Sequence, residues 1–121
     1  MVDYPKTIKR LLRRFASEAY ERELHRELTR LDLSFTEWRN GTIRSGELNE
    51  LILGYERGPS RQLFKRYNDN PGDTAVAYAI VTGILKREEI PSELLAALHK
   101  YLDYYQSLKD QNELREPDDF G

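Results

Sequence analysis

From Pro5 to Leu31 the apolar residues return every three or four positions: Ile8, Leu11, Leu12, Phe15, Ala19, Leu24, Leu28 and Leu31. That interval is the period of an α-helix and not of a strand, so the spacing predicts one long amphipathic helix over residues 5–31. Pro5 suits its first turn, where the missing N–H is no loss. The opposite side carries Arg14–Glu18 and Glu18–Arg22 at i,i+4, with Glu23–Arg26 and Glu27–Arg30 at i,i+3. Such pairs contribute only about 0.2–0.5 kcal/mol each and mark a solvated face. A long helix draws most of its stability from packing its apolar stripe, so the rest of the chain must supply matching helices.

It contains the pattern to do so. Ser34-Phe-Thr-Glu37 has the form of a capping box and predicts a short helix over 35–40, which Gly41 ends. Ser45 is placed to cap a further helix with Glu47 in its first turn, and Leu48, Leu51, Ile52 and Tyr55 form its buried side. Gly58-Pro59 interrupts that pattern. Proline breaks a continuing helix but opens a new one well, so two helices meeting at a bend are expected, the second near 59–68. On the second, Leu63, Phe64 and Tyr67 fall on one side, with Phe64 and Tyr67 expected to point inward and Arg61, Lys65 and Arg66 outward. NDNPGD, residues 68–73, reads as a turn. DTAVAYAIVTGILKREE predicts a central buried helix through Ala75, Val76, Ala79, Ile80, Gly83 and Ile84, with Lys86 and Arg87 at its C-terminus. A last helix begins near Pro91 or Ser92 with the stripe Leu95, Leu98, Leu102, Tyr105 and Leu108. The predicted fold is all-α: a single-domain bundle of five or six helices over 1–112, followed by an acidic, flexible tail over 113–121.

Composition limits what such a bundle can do. At 121 residues it is one domain, long enough to bury a core. Hydrophobic residues make up 39% and charged residues 33%, the mixture of a globular protein with a heavily charged surface. With 19 Lys and Arg against 21 Asp and Glu, the net charge is −2, so nucleic acid could be met only by a local basic patch. The absence of cysteine removes disulfides, thiolate metal sites and thiol catalysis. The N-terminal MVDYPKTIKRLLRRF has no apolar core of a signal peptide, and the longest apolar run, 75–85, is far short of a membrane span. A cytoplasmic protein with no membrane contact is expected.

Catalytic and metal chemistry find little footing. Glu21–His25 and His99–Asp103 are i,i+4 pairs, and an enzyme built on His25 or His99 is the least favoured of three readings, because these spacings arise on any charged helix. No Glu-x-x-His pair, calcium loop, phosphate-binding glycine loop or nucleophile elbow occurs, and the DFG at 119–121 is the chain terminus without kinase machinery. No cofactor and no metal is expected. A helix–turn–helix over 34–56 fits in outline, but Glu47 and Glu50 would face phosphates.

Two basic clusters remain: Lys6, Lys9, Arg10, Arg13 and Arg14 on the first helix, and Arg57, Arg61, Lys65 and Arg66 around the Gly-Pro segment. The helix opening at Pro59 could also receive a phosphate. Aromatic residues are plentiful; Tyr101, Tyr104 and Tyr105 diverge around one helix, and Trp38 sits beside a turn. Trp, Tyr and Arg are the residue types that anchor protein interfaces. The leading expectation is therefore a non-catalytic helical interaction module, an adaptor or regulator and a candidate homodimer. Trp38, Tyr55 and Tyr104 would be its aromatic anchors, and the basic residues would select an acidic protein partner. The alternative is nucleic-acid binding through residues 6–14 and 57–66.

Overall fold

The computed structural model describes residues 3–121 and is all-helical among them. Helix α1 spans Lys6–Arg39, 34 residues, or about 50 Å at 1.5 Å per residue. The break expected before residue 35 is absent. Leu31, Phe35 and Trp38 continue the apolar period without a change of phase, and no glycine or proline intervenes, so Ser34 lies inside the helix rather than capping a new one. The helix ends where expected. Gly41 takes the left-handed conformation at φ 78, and the Thr42 N–H returns to the Glu37 carbonyl at 2.8 Å.

Helix α2, Ser45–Tyr55, is capped one residue earlier than expected. Arg44 has the extended backbone of an N-cap, and its N–H donates to Glu47 Oε1 at 3.4 Å. Ser45 is thereby released, and its hydroxyl accepts a hydrogen bond from Trp38 Nε1 at 3.0 Å, closing the turn between α1 and α2.

Pro59 does not break the chain into two helices. Residues Glu56–Ser60 form one π-helical turn, and helical backbone runs through it into α3, Arg61–Tyr67. The wider turn accommodates the proline ring, which would clash with the preceding turn in a regular α-helix. Leu63 and Tyr67 are buried, while Phe64, expected inside, is 58% exposed.

The 68–73 turn is present and leads into α4, Asp73–Val81, which opens from Gly72 at φ 87. Seven of its nine residues are buried, which makes it the central helix of the core. It is shorter than its apolar run. Gly83 adopts φ 86, and the Leu85 N–H reaches back to the Ala79 carbonyl at 3.1 Å. Lys86 and Arg87 consequently open a single 3-10 turn, Arg87–Glu89, instead of closing α4. The last helical stretch is divided at Leu98 into α5, Ser92–Ala97, and α6, His99–Asp110.

Helix α4 packs against α1 and α6, and α1 also meets α2, α3 and α5. The buried Leu12, Leu63, Val76, Leu85, Leu94, Leu98 and Leu102 bring all of these layers except α2 into one core. At one end of it the buried Asp73 carboxylate accepts a hydrogen bond from Tyr4 Oη at 2.8 Å and sits at the positive end of α4. Burial, then this hydrogen bond, raises the Tyr4 pKa above the ordinary phenol value.

Residues 113–121, expected to be a flexible tail, lie against the body. Pro117 is buried, and Leu114 and Phe120 pack on the core. Tyr78 Oη donates to the Arg115 carbonyl, and Gln62 Nε2 donates to the Phe120 carbonyl at 2.9 Å. No described helix is long and apolar enough to cross a membrane.

Candidate interaction surfaces

The C-terminal part of α1 and the whole of α2 project as a two-helix arm. Beyond Glu27 no α1 side chain is buried, and in α2 only Leu48 is. Yet the arm is rich in apolar residues. Leu24, Leu28, Leu31, Phe35 and Trp38 alternate at intervals of four and three, the seam of a coiled coil. Leu28 is 45% exposed, Trp38 40% and Leu51 46%. Two helices cannot cover each other's stripes completely, so part of each seam faces outward. Leu51 and Tyr55 border a shallow cleft of about 150 Å³ with Glu27, Arg30, Leu31, Ser34 and Pro59 on one side of the arm. Trp38 stands edge-on to Phe35 with ring centroids 6.5 Å apart.

Of the three aromatic anchors expected from sequence, Trp38 and Tyr104 are exposed and Tyr55 is half-buried in that cleft. Burial raises the Tyr55 pKa, against a smaller opposing effect of its hydrogen bond with Ser60. Tyr104 lies on α6, the last helix, where its ring meets Tyr105 edge-on at 5.3 Å. The fold thus assigns Trp38 and Tyr55 to the arm and Tyr104 to another element.

The basic residues divide similarly. Lys6, Arg10, Arg13 and Arg14 are exposed along the first turns of α1. Arg14 lies over the Phe15 ring at 5.0 Å, and Lys9 pairs with Asp3 at 3.2 Å. No ion pair among the described residues engages Lys6, Arg10, Arg13 or Arg14. Arg57, Arg61 and Lys65 recur at i,i+4 spacing on the exposed side of the α2–α3 helix, and Arg61 holds Glu56 at 2.9 Å. Arg13 alone reaches a cleft shared with α3, of about 400 Å³, lined also by Ser17, Tyr20, Phe64, Tyr67 and Asn68.

Arg66 does not belong to an outward basic face. Its Nη1 donates to both Glu23 oxygens, at 2.9 and 3.0 Å, and approaches the Pro117 carbonyl at 3.4 Å. Tyr67 Oη donates to the same carboxylate. Arg26 bridges Glu23 and Glu27, and Arg30 joins Glu27 at 3.0 Å to Asp118 at 3.1 Å. Burial, the largest single influence, would lower the Arg66 pKa, but the Glu23 charge and the hydrogen bonds to it, with smaller contributions from Tyr67 and Tyr78, together outweigh it and the pKa is raised. Burial, then the Glu23 charge, raises that of Tyr67. The arrangement is a structural lock between α1, α3 and the tail. Sequence reasoning paired Glu23 and Glu27 with neighbours on a solvated face and so missed it. The one available signal was the position of both glutamates beside the apolar stripe of α1.

The histidines stand apart from every cluster. His25 is exposed on α1, where its Nδ1 lies 3.5 Å from Thr29 Oγ1. His99 is exposed at the start of α6, where its Nδ1 lies 3.1 Å from the Ala96 carbonyl oxygen. No group of three or more potential metal-ligating side chains occurs among the described residues.

In comparisons with known proteins, no family model, no curated protein and no solved structure matches the chain.

Proposed function

We propose that this chain is a non-catalytic helical interaction module, an adaptor or regulator that engages a protein partner through the α1–α2 arm. The observation that carries this reading is the arm's open apolar seam, with Leu28, Trp38 and Leu51 each 40–46% exposed on a projecting pair of helices. Exposed apolar side chains gathered on one element mark interaction sites, whereas scattered ones do not. Trp38 and Leu51 serve as anchors. Arg57, Arg61 and Lys65, on the helix that continues from the arm, favour a partner of acidic character. The test is capture from the host lysate with the wild-type chain and with Leu51→Glu, each with and without nuclease. A defined protein held by the wild type in both conditions and lost by Leu51→Glu is expected. Equal capture by the variant removes the arm from the reading.

A second reading rests on the absence of ion-pair partners around Lys6, Arg10, Arg13 and Arg14. Four exposed cations on one helix end could neutralise phosphates of a nucleic acid. Affinity for a mixed-sequence oligonucleotide would then fall steeply with added salt, with a slope reduced by replacing Arg10 and Arg13 with Gln. Salt-independent or undetectable binding removes this reading.

A further inference from the structure

A folded monomer of 14.3 kDa is expected to expose about 6,800 Å² of accessible surface. This chain exposes 8105 Å², roughly 1,300 Å² more than that scaling gives. The projecting arm accounts for an excess of this kind, since its two helices face solvent on most sides. A standard protein interface removes about 800 Å² from each partner. The surplus is therefore large enough for one full interface.

The pattern of the arm names its occupant. Leu24, Leu28, Leu31, Phe35 and Trp38 keep the four-three spacing of a helix that packs knobs into holes. Leu48, Ile52 and Tyr55 continue that spacing on α2, which runs back along α1. A two-helix hairpin with one such seam on each helix is half of a four-helix bundle. An identical hairpin supplies the other half, at the same length and with the same seam.

The edge of the seam carries the second argument. Glu18, His25, Asp32 and Arg39 recur every seven residues along one side of α1, and all four are exposed. Run antiparallel against itself, with Leu28 opposite Leu31 and Leu24 opposite Phe35, this edge sets Glu18 against Arg39 and His25 against Asp32. Each pairing occurs twice about a two-fold axis. The row is thus complementary to its own reverse, as an isologous interface requires.

We infer that the arm pairs antiparallel with the arm of a second copy of this chain, closing a four-helix bundle about a two-fold axis. This inference rests on the reading of the arm as the interaction element and names its partner on the Leu28 side. Leu51 is not a residue of that seam; it lines a cleft with Tyr55, Pro59 and Leu31 at the seam's edge.

Sedimentation equilibrium of the full chain tests it. The expected mass is twice 14.3 kDa. Leu28→Glu places a charge in the seam and gives the monomer mass, with unchanged helicity by circular dichroism. Leu33→Glu is the control: Leu33 is 60% exposed, but stands two positions from Leu31 and so on the far side of α1, and this variant remains dimeric. Arg39→Glu weakens the dimer by roughly tenfold or more, and Glu18→Arg combined with Arg39→Glu restores it. The restoration separates this register from any other self-association. A monomer mass for the wild type across the accessible concentration range, a dimer indifferent to Leu28→Glu, or no rescue by the charge swap overturns the inference. A monomeric wild type that still captures a partner through Leu51 leaves the proposed function standing and sinks only the dimer.

Discussion

Glu23 and Arg66 are 43 residues apart in the chain, yet a single guanidinium nitrogen of Arg66 lies 2.9 and 3.0 Å from the two oxygens of Glu23. Glu23 is 1% exposed and Arg66 only partly so, so the pair joins α1 to α3 largely shielded from water. Removing one member of such a pair strands the other without compensation, at a cost of roughly 3–5 kcal/mol. Glu23→Ala is therefore expected to lower the unfolding free energy by about that amount in urea titrations monitored by far-ultraviolet circular dichroism. Glu23→Leu combined with Arg66→Met removes both charges and recovers most of the loss. A single variant as stable as the wild type would mean the pair is not buried in solution. The same geometry makes Arg66 unsuitable as a probe of surface charge, because reversing it would disturb the fold itself.

Fold class was legible because helical periodicity is written in every segment, and α4 announces its burial by apolar residues on all sides. Boundaries were legible where glycine had to adopt a positive φ, as at Gly41. They were not where two local signals competed. The capping pattern at Ser34 lost to an apolar stripe that continues in phase through Phe35 and Trp38. The Gly58-Pro59 signal was real, but it produced a π turn inside one helix instead of a bend between two. Beside that turn Leu63 and Tyr67 go in, in line with their shared side, but Phe64 comes out, which periodicity alone does not contain. The exposed basic residues and Trp38 could be placed from sequence. The Glu23–Arg66–Tyr67 lock could not, because it depends on which helix α1 faces and on a tail that returns to it.

That tail is expected to matter for stability. Pro117 is buried, and the Gln62, Arg66 and Tyr78 side chains all donate to carbonyls of residues 115–120. Deleting residues 113–121 leaves Gln62 and Tyr78 without these protein partners, takes the Pro117 carbonyl from Arg66, and opens the Arg66 side of the lock to water. The loss should be about 1–3 kcal/mol, the net worth of a few hydrogen bonds offset by rehydration. Differential scanning calorimetry would read it as a lowered melting temperature, and hydrogen exchange would speed up first in α3. A truncated chain that melts with the full one would show the tail to be a passive appendage.

Glu89 offers a readout of a long-range contact that does not require unfolding. Arg22 on α1 clamps it through both terminal guanidinium nitrogens, Nη1 and Nη2, at 2.9 and 2.7 Å, and the Lys86 N–H donates to it at 2.8 Å. Arg22 first, then that backbone N–H, hold its pKa down from 4.5 to about 2. A carboxylate whose folded pKa is depressed contributes stability that is fully present above its unfolded value. For Glu89 that contribution is complete above about pH 4.5 and is lost as the pH falls from there towards 2. A carboxyl-detected NMR titration should give a Glu89 midpoint of about 2. In Arg22→Ala it should move up towards the ordinary carboxylate range, but stop short of it because the Lys86 N–H remains. A wild-type midpoint near 4.5 would mean that the clamp between α1 and the 3-10 turn does not persist in water.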